Sequence, residues 1–427
     1  MCESFPQVKL GDLFEISKGS ICPFLFPNEE FAHHSLPAFD ASRGPAIEFG
    51  REIESNKTLL SEPVVLLSKL NPRTSRVSVV DPSNSYRRHC CSTEFIAYKA
   101  KQKAVSLNYY RYWFETDFFR RRLQNSAVGT TNSHVRVNPG ETLNWKVPYP
   151  DIQEQNKIAE ILSTVDQAID QTQALIAKQK RIKTGLMQDL LTRGIDEHGN
   201  VRSELTHQFK DSPLGRIPVD WNVVELDTVV EFVTSGSRGW AQFYSVEGAT
   251  FLRIGNLTRE HINLRLDNLV RVSLPKSSEG KRTSIAAGDI LISITADLGI
   301  IGVIPKQFGE GYVNQHIALV RLLPSKVDAR FVGWYLSGRG GQSQFEKLNE
   351  SGAKAGLNLP TIRKLLIPIA NPSEQVKISE ILDSIIKRIE NLYSELHKLN
   401  SLKSALMQDL LTGKKPVAPL LDSEVMV

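Results

Sequence analysis

The feature that most constrains this chain is an internal repeat, because a repeat determines architecture more firmly than any local propensity. Residues 154–192, EQNKIAEILSTVDQAIDQTQALIAKQKRIKTGLMQDLLT, align without a gap to residues 374–412, EQVKISEILDSIIKRIENLYSELHKLNSLKSALMQDLLT. Seventeen of the 39 positions are identical, and LMQDLLT is shared whole. Upstream, KVPYPDIQEQ answers LIPIANPSEQ with Pro148 on Pro368, VVLLS at 64–68 answers DILIS at 289–293, and VKLGDLFEISKGS answers VVELDTVVEFVTSGS. Ile96, Ala97 and Trp113 fall on Ile317, Ala318 and Trp334 at identical spacing. The 427 residues are therefore two copies of one module, in keeping with about 150 residues per domain.

The end of each module reads as a long helix. In the second copy Ile378, Leu382, Ile385, Ile389, Leu392, Leu396, Leu399, Leu406 and Leu410 follow three- and four-residue steps, broken only at Lys403. The first copy follows with Ile158, Leu162, Val165, Ile169, Ile176, Leu186 and Leu190 but sets Thr172, Gln179 and Lys183 in the same register. Pro148, Pro150, Pro368 and Pro372 punctuate the helix starts, and Gly194 and Gly413 close the ends. Heptad helices are most often plain packing devices, and two in one chain can satisfy each other as an antiparallel coiled coil. The segments in front of them hold short β-type runs (VVLLS, RVSVV, EFIAY, DILISIT, IIGVI) broken by Gly, Pro, Asn and Ser. The expected fold is α+β: two tandem α/β domains, each followed by a long helix, the two helices pairing as an antiparallel coiled coil. The expected boundaries are 1–150, a first helix 151–194, an exposed linker 195–220, a second domain 221–370, a second helix 371–413 and a tail 414–427.

Composition removes other classes. Hydrophobic residues are 41% and charged residues 23%, a globular balance. No apolar run is long enough to cross a bilayer, and MCESFPQVKLGDLF lacks the order of a secretory signal. The four cysteines, Cys2, Cys22, Cys90 and Cys91, contain no CxxC pair, which points to a reduced, cytoplasmic setting without a disulfide frame or zinc site. His33 and His34 read as surface loop. No GxxxxGK[ST], HExxH or GxSxG occurs, and no Asn-Pro or Asp-Pro is followed by a second proline as an adenine methyltransferase turn would require. The nearest imitation of a nuclease centre, Asp151, Glu154 and Lys157, lies at a helix start, where acidic residues favour the macrodipole. No catalytic residue, cofactor or metal is expected.

The positive excess lies in the modules. The chain carries +5, with 19 Lys/Arg against 15 Asp/Glu in residues 1–150 and 18 against 15 in 211–370. Arginine suits guanine edges and phosphate, and Asn and Gln suit adenine. Loops of that mixture occur at 70–76 (LNPRTSR), 129–134 (GTTNSH), 234–240 (TSGSRGW) and 313–316 (VNQH). One charged run is usually just a solvated face, but these recur in both copies. The candidate contacts to double-stranded DNA are Arg73, Arg76, Arg87, Arg88, Thr131, Asn132 and His134 in the first module, and Ser237, Arg238, Arg253, Asn256, Asn314, Gln315 and His316 in the second.

The tandem layout, the PxxxxxEQxKIxEIL opening of each helix, LMQDLLT at both helix ends, GRIPVDW at 215–221, SKLNPR at 68–73 and GDILIS at 288–293 together resemble the DNA specificity (S) subunits of type I restriction-modification systems. The resemblance covers nearly the whole chain. It implies two target recognition domains, each reading one half of a bipartite DNA sequence, held apart by helices that act as ruler and docking surface. It also implies a subunit without catalysis of its own, whose methyltransferase (M) partners sit on the helices and whose restriction/motor (R) partners join for cleavage. A 39-residue helix is about 58 Å long, roughly 17 base pairs. The competing readings are a catalytic DNA methyltransferase or nuclease with unrecognised motifs, and a coiled-coil scaffold without a nucleic-acid role.

Overall fold

Runs such as VVLLS and ILIS are apolar at every position, which suits strands covered on both faces. The structure, a computed structural model, describes residues 5–128, 135–236, 238–273, 278–350 and 357–420. The chain divides into two compact units, one drawn from residues 1–173 and 395–427, the other from 174–394.

The first unit contains β1 (Gln7–Lys9), β2 (Phe14–Ile16), β3 (Glu30–His34), β4 (Ala46–Phe49), β5 (Thr58–Leu60), β6 (Val64–Ser68), β7 (Val77–Val80), β8 (Arg88–Cys91), β9 (Phe95–Ala100) and β10 (Lys146–Pro148), with helices α1 (Leu107–Glu115) and α2 (Asp117–Ser126). An antiparallel sheet of order β2-β9-β6-β7 lies against a mixed sheet of order β4-β3-β8-β5, in which β3 and β8 run parallel. Strand β6 serves two cores, as its period of two requires. Val64 and Leu66 face the smaller sheet with Leu60, Val80 and Cys91, while Val65 and Leu67 face the helices with Tyr109, Tyr110 and Phe114. The start of α3 (Ile152–Thr192) and the end of α6 (Pro372–Leu410) complete that second core through Ile158, Leu162, Leu410 and Leu411.

The second unit repeats the plan. It holds a hairpin of β11 (Phe209–Ser212) and β12 (Gly215–Pro218), a pair of β13 (Asn222–Glu225) and β22 (Leu366–Ile369), and helices α4 (Ala329–Ser337) and α5 (Arg339–Glu350). Its larger sheet orders β14 (Val230–Ser235), β21 (Ile317–Leu322), β18 (Ile290–Ser293) and β19 (Ile301–Val303) side by side. The smaller sheet orders β15 (Tyr244–Ser245), β17 (Val270–Val272), β16 (Ala249–Leu252) and β20 (Gly311–Val313), with β16 and β20 parallel. Ile290 and Ile292 face the helices, and Leu291 faces the smaller sheet.

Three expectations are corrected. Ser68 pairs with Phe95 and Ser293 with Ile317, so Phe95, not Ile96, occupies the place of Ile317. The same one-residue shift runs into the helices. Gln155 accepts from the Ser106 amide at 2.8 Å, Gln375 accepts from the Asp328 amide at 2.8 Å, and Tyr112 rather than Trp113 stands where Trp334 stands. A slip of one would turn every strand side chain to the wrong face. Second, the connector is not a plain exposed linker: Ile195 and Ile217 are buried, and Arg202 reaches Glu374 at 2.9 Å. Third, α6 buries Ile386 rather than Ile385 beside Leu382, because the stripe there takes a second four-residue step.

The first unit meets that same helix position differently, since Asp166 is the repeat partner of Ile386. Asp166 accepts from Tyr112 Oη at 2.8 Å and Arg111 at 3.0 Å and pairs with Lys403 at 2.7 Å. Burial pushes its carboxyl up, but the hydrogen bonds from Lys403 and Tyr112 and the nearby cations outweigh burial and hold it below the usual range. Lys403, the break in the heptad stripe, is thus, with Arg111, a cation of a partly buried network.

His33 and His34 also depart from expectation. Both lie on β3 and are buried; His33 Nδ1 meets Glu48 at 2.5 Å, and His34 Nε2 meets His89 Nδ1 at 3.2 Å. Burial, then the charges of His89 and His33, lower His34 from 6.5 to about 4. Burial also lowers His33 and His89. A depressed histidine pKa means that the unfolded chain binds more protons between these values, so stability falls as pH drops from 6.5 towards 4. The loss expected from His34 is about 3 kcal/mol, and His34→Gln should remove most of it. Urea unfolding midpoints at pH 7 and pH 4.5 check this; equal slopes in both proteins would exclude His34 as the titrating group.

Candidate nucleic-acid interface

In the second unit the loops leaving β14, β16, β18 and β20 meet at one end of the two sheets. The Asn314 amide donates to the Leu252 carbonyl at 3.0 Å, and the Ile294 amide donates to the His316 carbonyl at 3.0 Å. Gly236 crosses so near that a Cβ there would lie 2.1 Å from the Val313 carbonyl oxygen, so only glycine fits. Residues 236, 238–240, 253–256, 294–297 and 314–316 therefore form one surface.

The predicted residues on it do different things. Arg238 is exposed, with no ion-pair partner among the described residues. Arg253 is half-buried at the base of the surface. Asn256 is buried, its Oδ1 accepting from the Arg253 amide at 2.9 Å and its Nδ2 donating to the Arg265 carbonyl at 3.0 Å, so its side chain holds the loop. Asn314 is also buried and accepts from the His316 amide at 3.2 Å. Gln315 and His316 are half-exposed on the turn it shapes. Thr295, absent from the sequence-derived set, binds His316 Nδ1 at 2.7 Å. The tail of DILISIT lies against the tail of VVLLSKL in the repeat, where LNPR was already singled out, so extending that alignment would have found it. Ser237 lies outside the described residues.

The first unit has the corresponding end. The Ser92 amide donates to the His34 carbonyl at 2.9 Å and the Lys69 amide to the Glu94 carbonyl at 2.9 Å, matching the two bonds above. Arg73 and Arg76 sit on this end, and the Asn71 amide joins their loop to the Val135 carbonyl at 3.0 Å. Arg76 forks onto Asp40 at 2.7 and 2.8 Å, which holds the Asp40 carboxyl below its usual range. Arg136, unmarked by the sequence reading, pairs with Glu94 at 3.0 Å. Thr131, Asn132 and His134 lie outside the described residues. Arg87 and Arg88 are not gathered here. Arg88 begins β8 and Arg87 precedes it, at the other end of the pairing with β3, where Arg87 binds Glu30 and Arg88 binds Glu29 and stacks 4.1 Å over Phe26.

Burial pushes the Cys90 and Cys91 thiols up to about 12, away from nucleophilic thiolate. Among the described residues no group of three or more His, Cys, Asp or Glu could hold a metal ion.

A model of the type I restriction modification DNA specificity domain matches residues 3–181 and again 218–401. The chain belongs to this family. Curated relatives include the type I restriction enzyme MjaVIII specificity subunit of Methanocaldococcus jannaschii, 27% identical over 298 residues that make up 68% of this chain and 67% of the relative. The StySPI specificity subunit of Salmonella potsdam is 24% identical over 404 residues, covering 86% and 81%. Among solved structures, a type I restriction-modification system S subunit from M. genitalium shares the fold, with a TM-score of 0.59 at 14% identity, over 95% of this chain and 96% of that one. The specificity family thus places its two domain copies on the two modules of the repeat. No described helix is long and apolar enough to cross a membrane.

Proposed function

We propose that the chain is the sequence-reading subunit of a type I restriction-modification complex, without catalysis of its own. Each module reads one half of a bipartite site in double-stranded DNA through the loop surface at the end of its sheets. The observation that carries this is the double match to a DNA specificity domain on two copies of one module, both basic. Arg73 and Arg76 in the first module, with Arg238, Arg253, Gln315 and His316 in the second, are the proposed contacts. Arg87 and Arg88, each paired with a glutamate, are placed last among them, and Asn256 and Asn314 act by shaping loops. Thr131, Asn132, His134 and Ser237 stay in the proposal from their residue types alone.

The domain boundaries proposed are those of the sequence, with α3 and α6 as spacer helices. We infer that these pair as an antiparallel coiled coil. In the first unit residue 166 meets 403, and in the second Lys180 stacks on Tyr393 at 5.3 Å, so one number rises as the other falls. M subunits would dock on the helices and R subunits join the full complex, in the cytoplasm. Methylome sequencing of cells with and without the chain tests the reading: a bipartite methylated motif should vanish on deletion. Persistence of that motif, or methyl transfer by the chain purified alone, would overturn it in favour of a catalytic enzyme.

A further inference from the structure

We propose that Gln315 reads an adenine in the half-site of the second module, and that Thr295 and His316 are positioning residues that aim its amide. This rests on the DNA-recognition reading above and names one base contact within it. Gln315 Nε2 lies 2.9 Å from His316 Nε2, and His316 Nδ1 lies 2.7 Å from Thr295 Oγ1. With the amide so oriented, its nitrogen can only donate, so His316 Nε2 is the bare acceptor and the ring proton resides on Nδ1. That proton goes to the Thr295 hydroxyl, so the three side chains form one hydrogen-bonded chain that holds the plane of the Gln315 amide.

The backbone beneath is fixed as well. Asn314, 8% exposed, tethers the turn by its side chain to the His316 amide and by its own amide to Leu252. The His316 carbonyl accepts from Ile294. Gln315 then has one Nε2–H and its Oε1 without another partner among the described residues. A donor and an acceptor held in one plane is the pattern that pairs with N7 and N6 of adenine in the major groove. A glutamine serving only its turn would have no need of a neighbour that orients its amide from behind, nor of a hydroxyl that ties down the far nitrogen of that neighbour. Arg238 on the adjoining loop, exposed and without an ion-pair partner among the described residues, suits the flanking phosphate.

The test uses the full complex in cells, read by methylome sequencing. Gln315→Ala should relax one adenine position of one half-site, with preference over other bases falling roughly ten- to a hundredfold, while the other half-site and the spacer stay as they were. Thr295→Val should relax the same position, because it removes the hydroxyl and keeps the shape, and Thr295→Ser should restore it. A motif unchanged in Gln315→Ala, or Thr295→Val relaxing a different position, would overturn the proposal. Should the wild-type chain leave no motif at all relative to its deletion, the failure lies in the DNA-recognition reading instead. If Gln315→Ala abolishes methylation, duplex binding by Gln315→Glu decides: loss confined to the adenine-bearing site supports the contact, and equal loss on unrelated duplexes refutes it.

Discussion

Replacing Glu374 with Ala is expected to destabilise the second unit by about 2–3 kcal/mol, because it takes the forked carboxylate from the buried Arg202 guanidinium and leaves it only the exposed Asp220 at 3.2 Å. Glu374 accepts from the Ile195 amide at 2.8 Å, from Arg202 at 2.9 and 3.2 Å and from Trp221 Nε1 at 3.2 Å. The two charged side chains are only 7% and 11% exposed. Four donors converge there because the connector turns back at Gly194, where φ is +65° and a Cβ would strike the Glu374 carboxylate at 2.2 Å. The repeat supplies the control. Glu154 holds the same place in EQxKIxEIL, but the pairing of Gln7 with Pro148 and Val223 with Pro368 sets Phe5, whose side chain has no N–H to give, where Trp221 stands. Burial and the charge of Asp151 push the Glu154 carboxyl up. Glu154→Ala should therefore change stability by less than about 0.5 kcal/mol. Urea denaturation of the two variants measures the contrast, and equal losses would mean that the acid acts through the helix start and not through Arg202.

The second large effect concerns spacing. Each long helix passes from one unit into the other, α3 after residue 173 and α6 after residue 394. If the helices pair antiparallel and set the distance between modules, four residues added to α3 alone would put it out of register with α6. Four added to both, after Gln173 and after Ser394, should lengthen the assembly by about 6 Å and rotate it by only about 40° beyond a full turn, a stutter that coiled coils accept. The methylated motif should keep both half-sites while the unspecified spacer grows by roughly two base pairs. An unchanged spacer in an active double insertion would mean that something other than these helices holds the modules apart.

The sequence alone was enough for the two copies of the module, since 39 residues repeat without a gap, but only the fold assigns residues 395–427 to the first unit. The sequence was enough too for the long helices, whose apolar period is local information, and for the glycines that end them, found at φ +65° and +73°. The loops carrying Arg73, Arg76, Arg238 and Gln315 could be named because turn chemistry and residue type are written in adjacent positions. Pairing across distance is not. That Arg76 forks onto Asp40 and Arg87 onto Glu30, 36 and 57 residues away, is decided by strand order. So is the burial of His33 and His34, which no local period separates from a polar turn. The one-residue shift that puts Tyr112 in the place of Trp334 had the same origin: identical letters aligned well, but the backbone amides of Ser106 and Asp328 that donate to Gln155 and Gln375 count backbone positions. Only the packed chain determines which cation keeps its charge for a partner, because a carboxylate brought within 3 Å by the fold neutralises an arginine that the sequence lists as free.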